Sequence, residues 1–155
     1  MAERAELSAC VFVFDPSGRV LLVRNRDRHD TWEPPGGGGE PGEDPATGAL
    51  REVWEETGMV TALSGCSGVY FNTAAVRLCV AFIGRAAGDP VPSEETPAVG
   101  WFTPVAADAA ITRPALRLRF IDAIAVRSGW TAGYAADVPR PFKLGVRLPS
   151  AGTIP

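Results

Sequence analysis

Apolar positions near the N-terminus follow the pattern of a β-hairpin. Residues 6–15 and 19–24 form two apolar runs of strand length. The tripeptide at 16–18, Pro-Ser-Gly, lies between them, and these residue types favour a tight turn. The pattern therefore predicts two strands joined by a turn at the start of the chain.

Between residues 45 and 57 the apolar spacing changes to three and four, which is typical of one face of a helix. The recurring apolar residues are Ala46, Ala49, Leu50, Val53 and Trp54. Asp44 is a favoured N-cap residue, Pro45 suits the first helical position, and Gly58 suits the left-handed position that ends a helix. We predict a helix over 45–57 whose apolar stripe packs on a core.

The following segments alternate between strand patterns and one further helix. Residues 60–71 and 75–85 are rich in strand-forming residues and flank a short turn at 72–74. Trp101 and Phe102 begin a last strand, and a helix begins at Pro114 and ends at Gly129. The apolar stripe of that helix consists of Leu116, Phe120, Ile121 and Ile124. Strands and helices in this order predict an α/β layered fold.

Residues 131–155 form a proline-containing tail after a predicted domain of residues 1–130. Apolar residues in the tail alternate with other residues at the period of a strand. The alternating apolar residues are Phe142, Leu144, Val146 and Leu148. We expect the tail to add an edge strand or to contact a partner subunit in a homodimer. The simpler alternative is a chain end that packs on its own domain.

Three carboxylates are predicted on the helix face opposite the apolar stripe. Glu52, Glu55 and Glu56 have i, i+3 and i+4 spacing, so their charges gather on one side of the helix. Like charges at this spacing cost a helix roughly 0.2–0.5 kcal/mol per pair. A hard divalent cation such as Mg²⁺ or Mn²⁺, which prefers carboxylate oxygens, would compensate for that cost. A solvated acidic helix face is the alternative for these residues taken alone.

A run of four glycines precedes the acidic helix. Residues 36–39 are all Gly, and backbone without side chains allows a ligand to approach closely. A glycine run alone is also typical of a flexible connector. Together, the run and the acidic helix form one ordered unit, which indicates a phosphate site next to a metal ion.

Residues 37–59, GGGEPGEDPATGALREVWEETGM, resemble the signature box of the Nudix hydrolases and match every fixed position of that pattern. Two nearby residues depart from the usual family sequence, because Pro34 stands where a large apolar residue is common and Gly48 stands where Ala is common. The resemblance implies an α/β/α sandwich with a mixed central sheet. It also implies metal-dependent attack of water on the diphosphate that joins a nucleoside to another group.

The resemblance also implies roles for individual residues of the box. The implied ligands of Mg²⁺ or Mn²⁺ are Glu52, Glu55, Glu56 and the backbone carbonyl of Gly36. Arg51 and Glu43 are expected to pair and to orient the helix against the loop, and Gly58 ends the helix. A bound metal ion would neutralise the diphosphate and lower the pKa of water, so that hydroxide exists near neutral pH.

A downstream acid is a candidate for the general base. Glu95 follows Glu94 in a loop shortly before Trp101 and Phe102, a layout that resembles an acidic segment of the Nudix family. We expect Glu95 to act as an additional metal ligand or as the base that deprotonates water. The alternative is an ordinary exposed loop acid.

Other residues are candidates for contacts with the substrate. Gly37 and Gly38 offer bare backbone to the diphosphate. A basic segment before Trp32 is placed to contact phosphate or base, and it consists of Arg24, Arg26, Arg28 and His29. Tyr70, near a turn, is a candidate for the lining of a nucleoside pocket. The alternatives are solvated loop charges for the arginines and a core aromatic residue for Tyr70.

Charge, apolar content and cysteine spacing exclude several functional classes. A formal net charge of −3 and a pI near 5.2 give no basic surface for a long nucleic acid. No apolar run reaches the length of a membrane span, and the N-terminus has no apolar segment of signal length. The three cysteines are widely spaced without a CxxC pair, which favours reduced thiols and a cytoplasmic location.

A metal-dependent pyrophosphohydrolase is the function that these features indicate, because a module that only binds a ligand does not need three clustered carboxylates. The expected substrate is a small nucleotide-type diphosphate: nucleoside triphosphates, ADP-ribose, dinucleoside polyphosphates and nucleotide sugars are all open. One alternative is a non-catalytic Nudix-like ligand-binding or regulatory module. Another is an isomerase of isoprenoid diphosphates on the same fold.

Overall fold

The computed structural model describes residues 4–129 and the backbone of residues 133–137, which form a seven-stranded sheet and three helices. The strands are β1 (Glu6–Phe14), β2 (Val20–Arg24), β3 (Gly36–Gly38), β4 (Ala62–Asn72), β5 (Arg77–Arg85), β6 (Ala98–Phe102) and β7 (Gly133–Asp137). The helices are α1 (Pro45–Thr57), α2 (Pro104–Ala110) and α3 (Pro114–Arg127). None of these helices has the length and apolar content needed to cross a membrane.

The sheet is mixed, and β1 lies near its centre. The strand order is β6-β2-β1-β5-β4-β7, with the short β3 paired to the first half of β1. β1 runs parallel to β5 and β4 runs parallel to β7, whereas the other pairs are antiparallel. β2 meets β1 where Val20 pairs with Phe14 and then extends along β6. β2 and β3 therefore occupy different parts of the same side of β1.

Side chains of β1 alternate between two cores, because successive residues of a strand point to opposite faces. Phe12 belongs to the core beneath α2 and α3, where its ring lies 5.9 Å from that of Phe120 between centroids. Val11 and Val13 belong to the core beneath α1. Helices thus cover both faces of the sheet, and the predicted α/β/α sandwich with a mixed central sheet is confirmed.

Helix α1 begins and ends at the predicted residues. The side chain of Asp44 accepts hydrogen bonds from the backbone N–H groups of Ala46 and Thr47, at 2.9 and 3.1 Å. Gly58 has a φ of 66° and donates its N–H to the carbonyl of Trp54 at 2.8 Å. Both ends of the helix therefore have caps that satisfy terminal backbone groups.

Two residues predicted to belong to apolar stripes lie outside the cores. Val53 of α1 is fully buried, but Trp54 is 57% exposed, because the next residue of a helix lies about 100° further around its axis. Ile121 of α3 is 46% exposed for the same reason, since the preceding Phe120 faces the core. The prediction that Trp54 and Ile121 face a core is wrong.

The sequence pattern does not predict β3 or α2, and the alternation that suggested an edge strand in the tail lies at 142–148 rather than at β7. A Cβ on Gly36 would lie 2.4 Å from the carbonyl oxygen of Ala9, so glycine at this position permits a close approach of β3 to β1 rather than a flexible loop. β7 is an edge strand that pairs with β4. The alternating residues at 142–148 lie outside the described part of the chain.

Strand β6 is longer at its start than the sequence suggests. It pairs with β2 from Ala98 onward, so Trp101 and Phe102 end the strand rather than begin it. Thr103 then caps α2, which begins at Pro104. The short connection places α2 directly after the sheet edge.

Candidate active site

The three carboxylates of α1 differ in exposure. The side chain of Glu55 is 53% exposed and that of Glu52 is 13% exposed, whereas Glu56 as a residue is 4% exposed. The prediction that all three lie opposite the apolar stripe is wrong for Glu56. Residue 56 follows the buried Val53 by three positions, so it lies on the same side of the helix.

Arg51 joins α1 to the residues before it. Its guanidinium donates to both carboxylate oxygens of Glu43, at 2.8 and 3.0 Å, and to the carbonyl of Gly38 at 3.1 Å. It also donates to Glu52 at 3.0 Å and to Glu55 at 3.1 Å. The bond from Arg51 lowers the pKa of Glu43, and pairing raises the pKa of Arg51. Arg51 therefore holds α1 against the glycine strand.

Two glycines make room for carboxylates. A Cβ on Gly37 would lie 2.5 Å from Oε1 of Glu52, and a Cβ on Gly48 would lie 2.7 Å from Oε1 of Glu43. Both distances are too short for a side-chain contact, so a larger residue at either position would displace a carboxylate. The unusual Gly48 leaves space for the carboxylate that holds Arg51.

Among the described residues, no basic side chain forms an ion pair with Glu56, although its charge acts on the nearby Arg28. Burial, followed by the charge of Glu52, raises the pKa of the Glu56 carboxyl from an ordinary 4.5 to about 9. Glu95 and Glu33 act in the same direction, and a weak 3.4 Å hydrogen bond from the N–H of Gly36 opposes them. In this environment, Glu56 stays protonated at neutral pH unless a cation binds.

The loop that contains Glu95 lies against the end of α1. The N–H of Arg26 donates to the carbonyl of Glu95 at 2.9 Å, and the buried Thr96 donates its hydroxyl to the carbonyl of Glu56 at 2.7 Å. Burial is the largest cause of the raised pKa of both Glu52 and Glu56, and the charge of Glu95 adds to it. The structure therefore brings Glu95 close to the carboxylates of α1.

An ion pair between a buried acid and an exposed arginine, which sequence reasoning missed, lies beside this cluster. Glu33 is 9% exposed, forms an isolated β-bridge with Val23, and accepts hydrogen bonds from Arg28 at 2.6 and 3.2 Å. Its bond to Glu33 raises the pKa of Arg28, and the charges of Glu56 and Glu95 contribute. The signal available in the sequence is the proline after Glu33, which favours the extended backbone that a bridge requires.

A family model matches the part of the chain that forms this site. The NUDIX domain model matches residues 4–123, which include the glycine strand, α1 and the loop with Glu95. The chain belongs to the NUDIX domain family. Residues 37–59 are accordingly its Nudix box, and α1 is the Nudix helix.

Relatives of this Nudix chain are known from sequence and structure. A MutT-like protein of Streptomyces ambofaciens is 43% identical over 101 residues, which cover 63% of this chain and 64% of the relative. An RNA pyrophosphohydrolase of Roseobacter denitrificans is 46% identical over 50 residues, which cover 32% of this chain and 31% of that protein. The chain thus spans less than two thirds of the length of these curated relatives.

A solved structure shows the same fold. The crystal structure of a NUDIX hydrolase from Nitrosomonas europaea matches with a TM-score of 0.75 at 17% sequence identity. The match covers 89% of this chain and 80% of that chain. At this identity the likeness concerns the fold alone.

Three residues predicted to contact the substrate have other partners in the Nudix domain. The guanidinium of Arg24 lies over the ring of Trp32, 5.4 Å from its centroid, and Arg26 lies 3.8 Å from Glu94. Tyr70 is 4% exposed in the core beneath α3, on the sheet face opposite the Nudix helix. The structure does not bring these three side chains together with the carboxylates of α1.

The side chains of the Nudix helix suit a hard divalent cation, because their ligand atoms are carboxylate oxygens. Within residues 4–129, no three acidic, histidine or cysteine side chains already converge as they would around a bound ion. Arg51 instead holds Glu52 and Glu55. Because Arg51 also has Glu43 as a bidentate partner, it can release the other two carboxylates to a cation and stay paired.

Proposed function

We propose that this protein is a metal-dependent pyrophosphohydrolase that uses water to cleave a small nucleoside diphosphate derivative. The observation that carries the proposal is the buried Glu56, which lies near the carboxylates of Glu52, Glu95 and Glu33. Buried acids that lie close together are costly unless a cation neutralises them. Membership of the NUDIX domain family supports the same function.

The proposed ligands of Mg²⁺ or Mn²⁺ are Glu52, Glu55, Glu56 and the backbone carbonyl of Gly36. When bound, the ion supplies Lewis-acid chemistry, which neutralises the diphosphate and makes hydroxide available near neutral pH. Arg51 keeps its bidentate contact with Glu43 and so holds the Nudix helix in place when its other carboxylate partners turn to the ion.

The hydrolytic step transfers one oxygen and one proton. The oxygen of water attacks one phosphorus of the diphosphate, Glu95 accepts the proton, and the bond from that phosphorus to the bridging oxygen breaks. The products are a nucleotide and a phosphorylated remainder. Arg28, held by Glu33 and close enough to sense the charges of Glu56 and Glu95, stabilises the charge that develops on the phosphoryl oxygens.

We assign the diphosphate to the glycine strand β3. Gly37 lies directly against the carboxylate of Glu52, so a diphosphate that contacts the backbone of Gly37 and Gly38 lies next to the proposed metal ligands. The side chains of Arg24, Arg26 and Tyr70 would have to leave their present partners to contact the substrate. Their contacts with the substrate therefore stay predictions.

The proposal also covers the class of substrate, the cellular location of the protein and its oligomeric state. The names of the relatives, a MutT-like protein and an RNA pyrophosphohydrolase, support a nucleotide-type diphosphate, with nucleoside triphosphates and ADP-ribose as first candidates. The cysteines of the described chain are free thiols, which supports a cytoplasmic location. A homodimer formed through residues 131–155 stays a prediction.

Hydrolysis in ¹⁸O-labelled water tests the proposal. A panel of nucleoside diphosphate derivatives is incubated with Mg²⁺ or Mn²⁺, and the products are identified by mass. We expect ¹⁸O in one of the two products of a cleaved substrate, and loss of the reaction when a chelator is added. Metal binding without hydrolysis of any compound would contradict the proposal and favour a non-catalytic binding module.

Two neighbouring acids provide a matched pair of variants for the base. Glu95→Gln is expected to lower turnover, because it removes the proposed proton acceptor. Glu94→Gln is the control, since the side chain of Glu94 is 95% exposed and lies 3.8 Å from the outer residue Arg26. Equal turnover of both variants would contradict the role of Glu95.

A further inference from the structure

Four apolar residues form a half-buried patch on the α1 side of β4 and β5. Val80 pairs with Ala9, which belongs to the core beneath α1, so Val80 and Leu78, two residues before it, lie on the α1 side of the sheet. Across the next ladder, Val69 pairs with Val80 and Phe71 pairs with Leu78. All four residues are of intermediate exposure. We call these four residues the open face.

Helix α1 does not cover the open face. Its buried residues Ala49 and Val53 pack with β1 and with Phe82, which lies two residues after Val80 on β5. Among the described residues, no member of the open face belongs to this core or to the core beneath α3. The open face therefore extends the apolar surface of the core beneath α1 toward the edge of the sheet, where a covering segment would remove it from water.

The chain leaves the sheet next to the open face. β7 runs parallel to β4, and its last residue, Asp137, is aligned with Asn72. Phe71 and Leu78 lie one residue from this end of their strands. Residues 138–155 therefore start at the edge of the sheet that is next to β4, and at the end where the open face begins.

Residues 138–141 are long enough to bring the chain over the open face. β4 ends at Asn72, so β4 offers β7 no further pairing beyond Asp137. Pro139 and Pro141 favour a change of direction at this point. Neighbouring strands lie about 4.8 Å apart, which places β5 about 10 Å from β7. Four extended residues span roughly 13–14 Å, so residue 142 can reach either β4 or β5.

Residues 142–148 have the pattern of a strand with one apolar side. The apolar residues are Phe142, Leu144, Val146 and Leu148, and they alternate with Lys143, Gly145 and Arg147. Alternate residues of an extended chain recur about every 6.6–6.8 Å, which is also the spacing of Leu78, Val80 and Phe82 along β5. The segment therefore matches the open face in both chemistry and spacing.

We propose that the open face is the docking site of residues 142–148 of the same chain. In this arrangement Phe142, Leu144 and Val146 pack on β4 and β5, and the charged Lys143 and Arg147 stay in water. The same segment of a second copy is a poorer occupant, because β7 pairs with β4 of its own chain and the connection from Asp137 is short.

Photo-cross-linking in the full-length protein tests this docking. Phe142→p-benzoylphenylalanine should cross-link to a peptide from residues 66–82, in a product with the mass of one chain. Lys143→p-benzoylphenylalanine is the matched control, since the neighbouring residue lies on the other side of an extended segment, and it should not cross-link to that peptide.

The cross-linked products distinguish the possible occupants. A product with the mass of two chains would overturn docking within one chain and favour the homodimer contact. Cross-linking of both positions to residues 66–82 with equal yield, or no cross-link from position 142, would also overturn the proposal.

A charge in the open face should release the tail. Val80→Asp is expected to raise the rate of tryptic cleavage after Lys143 and Arg147 by about 10-fold, because cleavage follows the population of the released segment. Val60→Asp is the matched control, because Val60 is 82% exposed and lies outside the open face, and it should leave this rate unchanged.

Equal rates of tail cleavage in Val80→Asp and the wild type would overturn the proposal. If Val80→Asp does not fold, the cross-linking of chains with an unchanged open face still decides. Neither experiment depends on hydrolysis of a substrate, so failure of the docking and failure of the proposed function are separate results.

Discussion

The two faces of the sheet differ in how their charged side chains are balanced. Beneath α1, the acidic Glu52 and Glu56 lie near further acids, and burial raises the pKa of both. Beneath α3, the guanidinium of Arg119 lies over the ring of Tyr70, and the hydroxyl of Tyr70 donates to the carboxylate of Asp122 at 2.8 Å. A bound cation would balance the acids of the first region.

The glycine strand explains how acids gather beneath α1. β3 is made of glycine, and a Cβ on Gly37 would lie 2.5 Å from Oε1 of Glu52, so the strand leaves room for that carboxylate. The comparison teaches that the face beneath α1 gathers acids that a cation would balance, whereas the face beneath α3 joins a cation, an aromatic ring and a carboxylate within the fold.

Removal of the Glu56 carboxylate from the group of acids beneath α1 should have the largest effect on turnover. Glu56→Gln keeps the shape of a buried side chain but removes a proposed metal ligand, so we expect turnover to fall by roughly 10²- to 10⁴-fold. Initial rates at saturating Mg²⁺ measure this effect, with Glu94→Gln as the control. Turnover close to that of the wild type would refute the role of Glu56.

The same variant should make the metal-free protein more stable. Unfolding returns the pKa of Glu56 from about 9 to about 4.5, so between these pH values the unfolded chain binds fewer protons than the folded chain. The free energy of unfolding of the wild type therefore falls as the pH rises through this range. Gln does not titrate, so the variant lacks this loss.

At pH 7, we expect Glu56→Gln to exceed the wild type in the free energy of unfolding by roughly 3 kcal/mol, from about 1.36 kcal/mol per pH unit above 4.5. Urea unfolding in the presence of a chelator, at about pH 5, 7 and 8.5, measures the difference. A difference in the free energy of unfolding that stays constant across these pH values would mean that ionisation of Glu56 does not destabilise the folded protein.

A methyl group added between the glycine strand β3 and α1 is expected to lower kcat by a smaller factor. Gly37→Ala places a Cβ 2.5 Å from Oε1 of Glu52 and should lower kcat by about 10- to 100-fold through displacement of that carboxylate. Gly39→Ala is the matched control, because the added Cβ would make only ordinary contacts with Leu7, at 3.6 Å or more. Equal activities of the two variants would show that the position of Glu52 is not critical.

Features that act locally could be predicted from the sequence. Asp44, Pro45 and Gly58 determine the ends of α1 through contacts within a few residues, and both ends are confirmed. The mixed order of strands and helices, together with the Nudix box, was sufficient for the fold class. These signals need no knowledge of which distant segments meet.

Features that depend on distant contacts could not be predicted in this way. The spacing of three from Val53 is visible in the sequence, but the contacts that cover Glu56 come from Gly36 and Thr96, which are 20 and 40 residues away. Glu33 was missed because its importance comes from its pairing with Arg28 and its position beside Glu56. Burial of this kind becomes visible once the chain is folded.

The most direct test of a cation site at the buried acids is a calorimetric titration of Mn²⁺ at pH 7 in buffers of different ionisation enthalpy. Glu56 is protonated at this pH without a cation and must ionise to bind one, so we predict the release of about one proton per ion bound. The affinity should increase with pH up to about 9, and Glu56→Gln should bind more weakly and release no proton from this position. Absence of Mn²⁺ binding, or binding to the wild type without proton release, would contradict the account.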